Sequence, residues 1–192
     1  IDNKLTNISL SYSTNLSNLD YNGIDLLKLW SSFNNVSLEA SVDGWGEEVE
    51  YSRTGFKREV FLNNFKRAFK YIKAINCVVN IYSVWTLPFI EKFRKYDINI
   101  IYSPCYLPTH LNPQILLEED KLALKRLYTD YPQLISLYEN FIDKTPDLQY
   151  SKNDIDRARK EMVDYNQLLD SYRNTKFFDT FPQYRKYENN NA

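Results

Sequence analysis

The segment VSLEASVD, residues 36–43, carries a row of polar side chains suited to binding a ligand. It alternates apolar and polar residues, which predicts a half-buried strand. Because successive side chains of a strand point to opposite faces, Ser37, Glu39, Ser41 and Asp43 share one face. Hydroxyl and carboxylate groups aligned in this way can donate and accept hydrogen bonds, so this face is predicted to contact a polar ligand.

Arg53 follows this strand after an acidic loop. Its guanidinium group is a planar fork that matches a carboxylate, which predicts a site for an acidic group close to the strand end. The alternative is an ion pair within the loop, with Glu47, Glu48 or Glu50 as the partner. Both interpretations fit the sequence.

The pair Asp43-Gly44 has a structural interpretation as well as a chemical one. Asp43 can form an Asx-turn and Gly44 tolerates a positive φ angle, so the pair is predicted to end the strand. Ser41 has an alternative too, because its hydroxyl can bond a neighbouring backbone group. A hydrolase that uses Glu39 and Asp43 ranks last. On one strand these carboxylates are separated by roughly 13 Å, whereas glycosidase pairs need ~5 to 9.5 Å.

Strands and helices alternate along the first part of the chain. A period of two in the apolar residues indicates strands, and apolar residues spaced three and four apart indicate helices. This order is typical of parallel βαβ units, so we predict an α/β fold. The predicted strands are 7–13, 36–43, 76–84 and 98–104, and the predicted helices between them are 23–33, 58–72 and 87–96.

Each predicted strand is apolar on one face only. In the first strand Ile8, Leu10 and Tyr12 oppose serines, and in the third strand Asn76 and Asn80 share a face. A parallel sheet covered on both faces has nearly continuous apolar strands instead. We therefore expect the later strands of a partial (β/α)6 TIM-like barrel, curled so that the polar face lines an interior that holds ligand. An antiparallel sheet with one solvated face is the alternative.

The last part of the chain is predicted to be helical. After about residue 112 the apolar period is that of helices, which gives a βα region over 1–112 and a helical C-terminal extension over 113–192. Ser151 and Asp154 have the spacing of a capping box. The predicted helices of the extension are 118–131, 132–144 and 153–173.

Composition argues against several classes of protein. The net charge of −1 over 192 residues argues against a nucleic-acid surface. No apolar run approaches the ~20 residues that span a bilayer and no signal peptide is present, so we expect no membrane contact and a cytoplasmic location. Cys77 and Cys105 are too few for a disulfide framework or an iron–sulfur site. His110 lies near no serine or carboxylate motif, so we expect no catalytic role for it.

Four segments carry motifs in a particular order. They include a Thr-Asn pair that ends a strand, then Ser-x-Asp-Gly, then Tyr-x-Arg-x-Gly, then an asparagine on the following helix. The segments are YSTNLSNL (12–19), SVDGWGEEVEYSRTGFKREVFLNNFKRA (41–68), IIYSPCYLP (100–108) and LLDSYRNTKFFDTFPQY (168–184). In order and spacing they resemble the radical S-adenosylmethionine superfamily, and within it the twitch- and SPASM-type proteins.

The resemblance implies roles for the residues at matching positions. Ser41 would bond the ribose of S-adenosylmethionine, and Arg53 would meet its methionine carboxylate. Asn15 and Glu39 would contact cofactor or substrate, with Asp43 beside them. The backbone at two later residues would hold the adenine: Pro104 and Leu107.

The resemblance also implies cofactors. Members of the superfamily hold a [4Fe-4S] cluster through Cys-x-x-x-Cys-x-x-Cys, and a 5′-deoxyadenosyl radical made from S-adenosylmethionine takes a hydrogen atom from the substrate. Neither that motif nor the Gly-Gly-Glu-Pro-type strand after it occurs in this sequence. We therefore expect the C-terminal part of such an enzyme, inactive alone. A degenerate homologue without a cluster is the alternative.

The resemblance leaves the partners broad. The substrate would be a small molecule, a peptide or a protein, and the complete enzyme would take its electron from an external donor. A non-catalytic module that binds a nucleotide or a peptide on the same polar face is the competing class of function.

Overall fold

The computed structural model describes residues 7–144 and 151–189. Its strands are β1 (Ser9–Thr14), β2 (Asp20–Tyr21), β3 (Ile24–Asp25), β4 (Asn35–Ser41), β5 (Ile72–Val79) and β6 (Asn99–Pro104). Its α-helices are α1 (Leu26–Trp30), α2 (Gly46–Ser52), α3 (Arg58–Ala68), α4 (Leu87–Glu91), α5 (Glu118–Leu127), α6 (Pro132–Leu137), α7 (Lys152–Arg173), α8 (Phe177–Thr180) and α9 (Lys186–Asn189).

Four strands form one parallel sheet in the order β1-β4-β5-β6. The predicted α/β class is confirmed, and the antiparallel alternative is wrong. Because all four strands run the same way, their carboxyl ends meet at one edge, which we call the carboxyl edge. Ligands of open parallel sheets bind at this edge, because the loops that follow the strands converge there.

The two faces of the sheet differ as the alternating sequence predicts. Leu38, Ala40 and Val42 are fully buried on one face, which packs into the hydrophobic core with Phe61 and Phe65 of α3. The other face, which we call the open face, carries polar or partly exposed side chains. Along the four strands these include Ser11, Ser13, Ser37, Glu39, Ser41, Asn76, Val78, Ile101 and Ser103.

Several boundaries differ from the sequence prediction. The helix expected over 58–72 ends at Ala68, and a 3₁₀ turn leads directly into β5 at Ile72. Ile72 continues the apolar stripe of the helix, so periodicity alone does not separate the two elements. The helix expected from residue 23 begins at Leu26, because Asp25 caps its amino end and Asn22-Gly23 turn a short hairpin, β2–β3.

The C-terminal helices pack on the sheet region through aromatic side chains. Phe177 and Tyr184 are fully buried and lie against Tyr51 and Trp85 from the first part of the chain. The capping box predicted for α7 is present, with Ser151 and Asp154 bonding each other's backbone N–H groups. Within the described ranges no strand follows β6, as predicted. The division at residue 112 itself stays a prediction.

Candidate functional site

The strand register brings the predicted polar residues together at the carboxyl edge. Glu39 lies opposite Ser13 on β1, and Ser41 lies opposite Asn76 on β5. Ser13 donates a hydrogen bond to Glu39 Oε2 at 3.2 Å. One strand further along, Ser103 donates to Asn76 Oδ1 at 3.1 Å. Hydroxyl, carboxylate and amide groups thus occur on the open face of all four strands, with Val78 and Ile101 between some of them.

Ser41 differs from the other side chains of this row. Its hydroxyl is half-buried, and it makes no hydrogen bond to any residue in the described part of the chain. The alternative role of Ser41, a hydrogen bond from its hydroxyl to a neighbouring backbone group, is therefore not observed. A half-buried hydroxyl at the carboxyl edge can donate one hydrogen bond to a bound molecule and accept another from it.

Asp43 and Arg53 form an ion pair next to Ser41. Both Nε and Nη2 of Arg53 lie 2.6 Å from Asp43 Oδ2. The alternative of an ion pair with Glu47, Glu48 or Glu50 is wrong, because Arg53 pairs with Asp43. Glu50 meets Lys57 at 3.4 Å. The side chains are 30% and 12% exposed, so this pair is shielded better than a surface salt bridge.

The carboxylate of Asp43 also joins two strands. Its Oδ1 accepts a hydrogen bond from the backbone N–H of Val78 on β5 at 2.9 Å. The predicted Asx-turn within the loop is therefore wrong, although the strand does end here. Asp43 fixes the direction of the Arg53 guanidinium, whose Nη1 has no partner among the described residues.

A cleft of about 330 Å³ opens on one side of Arg53, and Asn15 forms part of its wall. Lys57 adds a second cation to this lining. The side-chain oxygen of Asn15 accepts from the backbone N–H of Ser17 at 3.0 Å, so its amide N–H groups remain for other contacts. Both cations already meet a carboxylate, Arg53 at Asp43 and Lys57 at Glu50. The cleft therefore offers an acidic group N–H donors from Arg53 and Asn15 rather than unbalanced charge.

Asn64 on α3 positions the loop that carries Asn15. It is 5% exposed, and its amide donates to the carbonyl of Leu16 at 2.8 Å. Leu16 is fully buried with φ of 52°, a conformation that costs a leucine energy unless its surroundings hold it. The asparagine of the helix motif thus has a structural explanation in this chain.

Pro104 and Leu107 lie at the far side of the carboxyl edge. Pro104 ends β6, and the backbone N–H of Cys105 continues the sheet pairing to the Val79 carbonyl at 3.0 Å. The Leu107 side chain is 72% exposed. Since β6 is two strands from β4, this backbone lies roughly 10 Å from the end of β4, about the span of a nucleoside.

A second, smaller cleft of about 150 Å³ lies on the other side of Arg53, against α7. Tyr51 and Tyr82 line it, and their hydroxyls bond the side chains of α7. Tyr82 donates to Asn166 Oδ1 at 2.8 Å, and Tyr51 donates to Asp170 Oδ1 at 3.0 Å. Burial raises the pKa of both phenols, so they stay protonated and act as donors. No local pattern in the sequence predicts this network, because its members are far apart along the chain.

The described residues do not fit a metal or iron–sulfur site. No group of three or more histidine, cysteine or acidic side chains is placed to hold a metal ion in residues 7–144 and 151–189. Cys77 is fully buried, and desolvation together with the charge of Asp43 raises the pKa of its thiol. A thiol held protonated in this way is a poor metal ligand, because the thiolate is the binding form.

His110 lies outside the site but introduces a pH dependence. Its Nε2 is buried without a hydrogen-bond partner in the described structure, and its ring lies 4.8 Å from that of Tyr165. Burial lowers the pKa of His110, and the charge of Glu161 opposes that shift only in part. The neutral imidazole is therefore the form that the folded chain accommodates.

The pKa of His110 predicts a loss of stability in mild acid. Because the folded-state pKa lies below the unfolded value of about 6.5, the unfolded chain binds the proton first as the pH falls. Urea unfolding measures the free energy of unfolding at pH 7.5 and at pH 5.5. Between these two pH values it should fall more in the native chain than in His110→Phe. We expect a difference of a few tenths of a kcal/mol, since the ring is partly solvated. Equal losses in both proteins would contradict this explanation.

Three comparisons with known proteins returned nothing: no family model, no curated protein and no solved structure matches this chain. In the described part of the chain, no helix has the length and apolar character required to cross a membrane.

Proposed function

We propose that this chain contributes the S-adenosylmethionine-binding edge of a radical S-adenosylmethionine enzyme. The observation that carries the proposal is the half-buried, unpartnered hydroxyl of Ser41 on the open face, two residues before the ion-paired Asp43. Ser41 would bond a ribose hydroxyl. Arg53, already oriented by Asp43, would offer Nη1 to the carboxylate of the cofactor.

The wider arrangement supports the same reading. The sheet has sequential strand order with a polar open face, which is the arrangement expected of the later strands in a partial (β/α)6 barrel. The cleft beside Arg53 and Asn15 would take the methionine end, and the backbone near Pro104 would meet the adenine.

The cluster is a separate requirement. The described residues lack a ligand set for [4Fe-4S], so three cysteines would have to come from polypeptide beyond this sequence. When bound to such a cluster, S-adenosylmethionine supplies a 5′-deoxyadenosyl radical for hydrogen abstraction. The residues of this chain would orient the cofactor and exclude water, and the chain alone would not catalyse the reaction.

Binding of S-adenosylmethionine to the chain tests the proposal directly. Isothermal calorimetry, with S-adenosylhomocysteine as a second ligand, should show saturable binding. Arg53→Gln should weaken it about 10- to 100-fold, because a hydrogen bond to a charged group contributes about 1.5–3 kcal/mol. Ser41→Ala should weaken it by about 3- to 10-fold, the effect of one neutral hydrogen bond.

Matched variants separate binding from general damage. Ser37 lies on the same strand and face as Ser41 but away from the carboxyl edge, so Ser37→Ala should leave the affinity unchanged. Arg58→Gln changes an exposed arginine outside both clefts and should also have no effect. No saturable binding, or equal losses in Ser37→Ala and Ser41→Ala, would overturn the proposal.

A non-catalytic binding module remains the second candidate. The ion pair between Asp43 and Arg53 favours it, because the guanidinium charge is already balanced without a cofactor. Such a module would bind adenosine as well as it binds S-adenosylmethionine, whereas the cofactor site requires the carboxylate. Adenosine in the same titration therefore distinguishes the two functions.

A further inference from the structure

An apolar groove lies on the outside of the molecule, away from the open face. It consists of two adjoining clefts of about 300 Å³ each, which share Leu62, Phe93 and Tyr96. We call it the aromatic groove, and none of its residues belongs to the candidate site. Its apolar lining comes from α3, α4 and the turns beside them: Trp45, Leu62, Phe65, Phe69, Phe89, Phe93 and Tyr96.

The groove exposes large apolar side chains, which lie above two buried and closely packed rings. Phe69, Phe89 and Tyr96 are 41%, 45% and 47% exposed. Below them Phe65 and Phe93 are buried, with their ring centroids 5.0 Å apart in an edge-to-face arrangement. Adjacent exposed aromatic rings on a packed floor are typical of an interaction site, because a contiguous apolar patch is costly to leave in water.

Three lysines give the groove its charge. Lys66, Lys92 and Lys95 line the two clefts, and no aspartate or glutamate lines either of them among the described residues. None of the three forms an ion pair within the described chain. Lys92 Nζ lies 4.5 Å from the centre of the Phe89 ring, so its charge stands directly at the apolar surface.

We propose that the aromatic groove binds an acidic amphipathic helix of a partner protein. Apolar side chains one turn apart on that helix would enter the two clefts, and its flanking carboxylates would reach the unpaired lysines. Complementary charge of this kind raises the association rate and selects the partner. This proposal does not depend on the cofactor proposed above.

The shape of the surface favours a helix over a lipid membrane. A membrane-binding surface inserts exposed apolar side chains into the lipid. This surface has exposed rings as well, but two clefts lie between them, and a partner's side chains can insert there. The lysines would attract anionic lipid as well as carboxylates, so lipid vesicles are included in the test.

Designed helical peptides test the proposal on the chain itself. Two peptides of about 15 residues carry the same leucine and phenylalanine stripe, flanked by glutamate in one and by lysine in the other. The tryptophan fluorescence of the protein, which includes Trp45 in the groove, and calorimetry measure binding. We expect the glutamate peptide to bind at least about tenfold more tightly, with an affinity that falls as salt rises.

Charge reversal supplies the decisive control. The double variant Lys92→Glu with Lys95→Glu should reverse the preference between the two peptides. The control variant, Lys28→Glu with Lys152→Glu, changes the net charge by the same amount at exposed positions outside the groove. It should still prefer the glutamate peptide. Three outcomes would overturn the proposal: no binding of either peptide, a preference that ignores the groove lysines, or binding only to vesicles of phosphatidylcholine and phosphatidylserine.

Discussion

Replacing Phe177 by alanine is expected to destabilise the protein by about 3–5 kcal/mol. Phe177 is fully buried, and its ring lies 5.8 Å from Tyr51 and 5.1 Å from Phe181. The substitution leaves a cavity between the C-terminal helices and the loops of the sheet, and stiff neighbouring rings cannot close it. A loss of this size is a large share of the 5–15 kcal/mol that usually stabilises a domain. Urea denaturation measures it.

The neighbouring phenylalanine provides a matched control for this prediction. Phe178 follows Phe177 in α8 but is only partly buried. Phe178→Ala should therefore lower the free energy of unfolding by about 1 kcal/mol. Equal losses in the two variants would show that the interior between the helices and the sheet is not the stabilising contact. Circular dichroism and tryptophan fluorescence should also report one coincident transition, because Phe177 packs on Tyr51 across the predicted division at residue 112.

Replacing Gly44 by alanine is expected to destabilise the protein by about 2–5 kcal/mol. Gly44 has φ of 127°, which side-chain-bearing residues rarely adopt. An added Cβ would lie 2.7 Å from Thr86 Oγ1, and that oxygen already accepts from the backbone N–H of Trp45 at 3.0 Å. The loop would therefore have to shift, and Asp43 would shift with it. Thermal or urea unfolding measures the loss.

Gly23→Ala is the control that separates the cost of backbone strain from the cost of a steric clash. Gly23 also has a positive φ, of 77°, but a Cβ there would meet nothing within 4 Å. Gly23→Ala should therefore cost only about 1 kcal/mol, the strain of the left-handed conformation. If Gly44→Ala costs no more than Gly23→Ala, the contact with Thr86 does not constrain the loop. Because the shift moves Asp43, any binding of S-adenosylmethionine should weaken in Gly44→Ala and remain in Gly23→Ala.

The sheet was predictable because its signal is local. Residues 36–43 alternate between apolar and polar, and the structure buries one set and leaves the other on the open face. The position of Ser41 and Glu39 on one face follows from the same alternation. Helix α2 was missed, because its segment is short, begins with Gly46 and carries three glutamates, so no apolar stripe marks it.

The partners of the site residues were not predictable from local patterns. Arg53 has three glutamates nearby in sequence, yet it pairs with Asp43, because the loop folds back over the end of β4. Asp43 in turn bonds Val78, whose backbone N–H reaches it only once β5 lies beside β4. Such contacts depend on register and loop path, which periodicity does not encode.

The bonds from Tyr51 and Tyr82 to α7 also limit how early this part of the fold can be completed. Tyr51 and Asn166 are separated by 115 residues, so the hydroxyl of Tyr51 gains this partner only after α7 has been synthesised. Contacts of such long range slow folding, because loop closure costs entropy before the contact repays it. A nascent chain that has reached β6 therefore leaves Tyr51 and Tyr82 without their partners on α7.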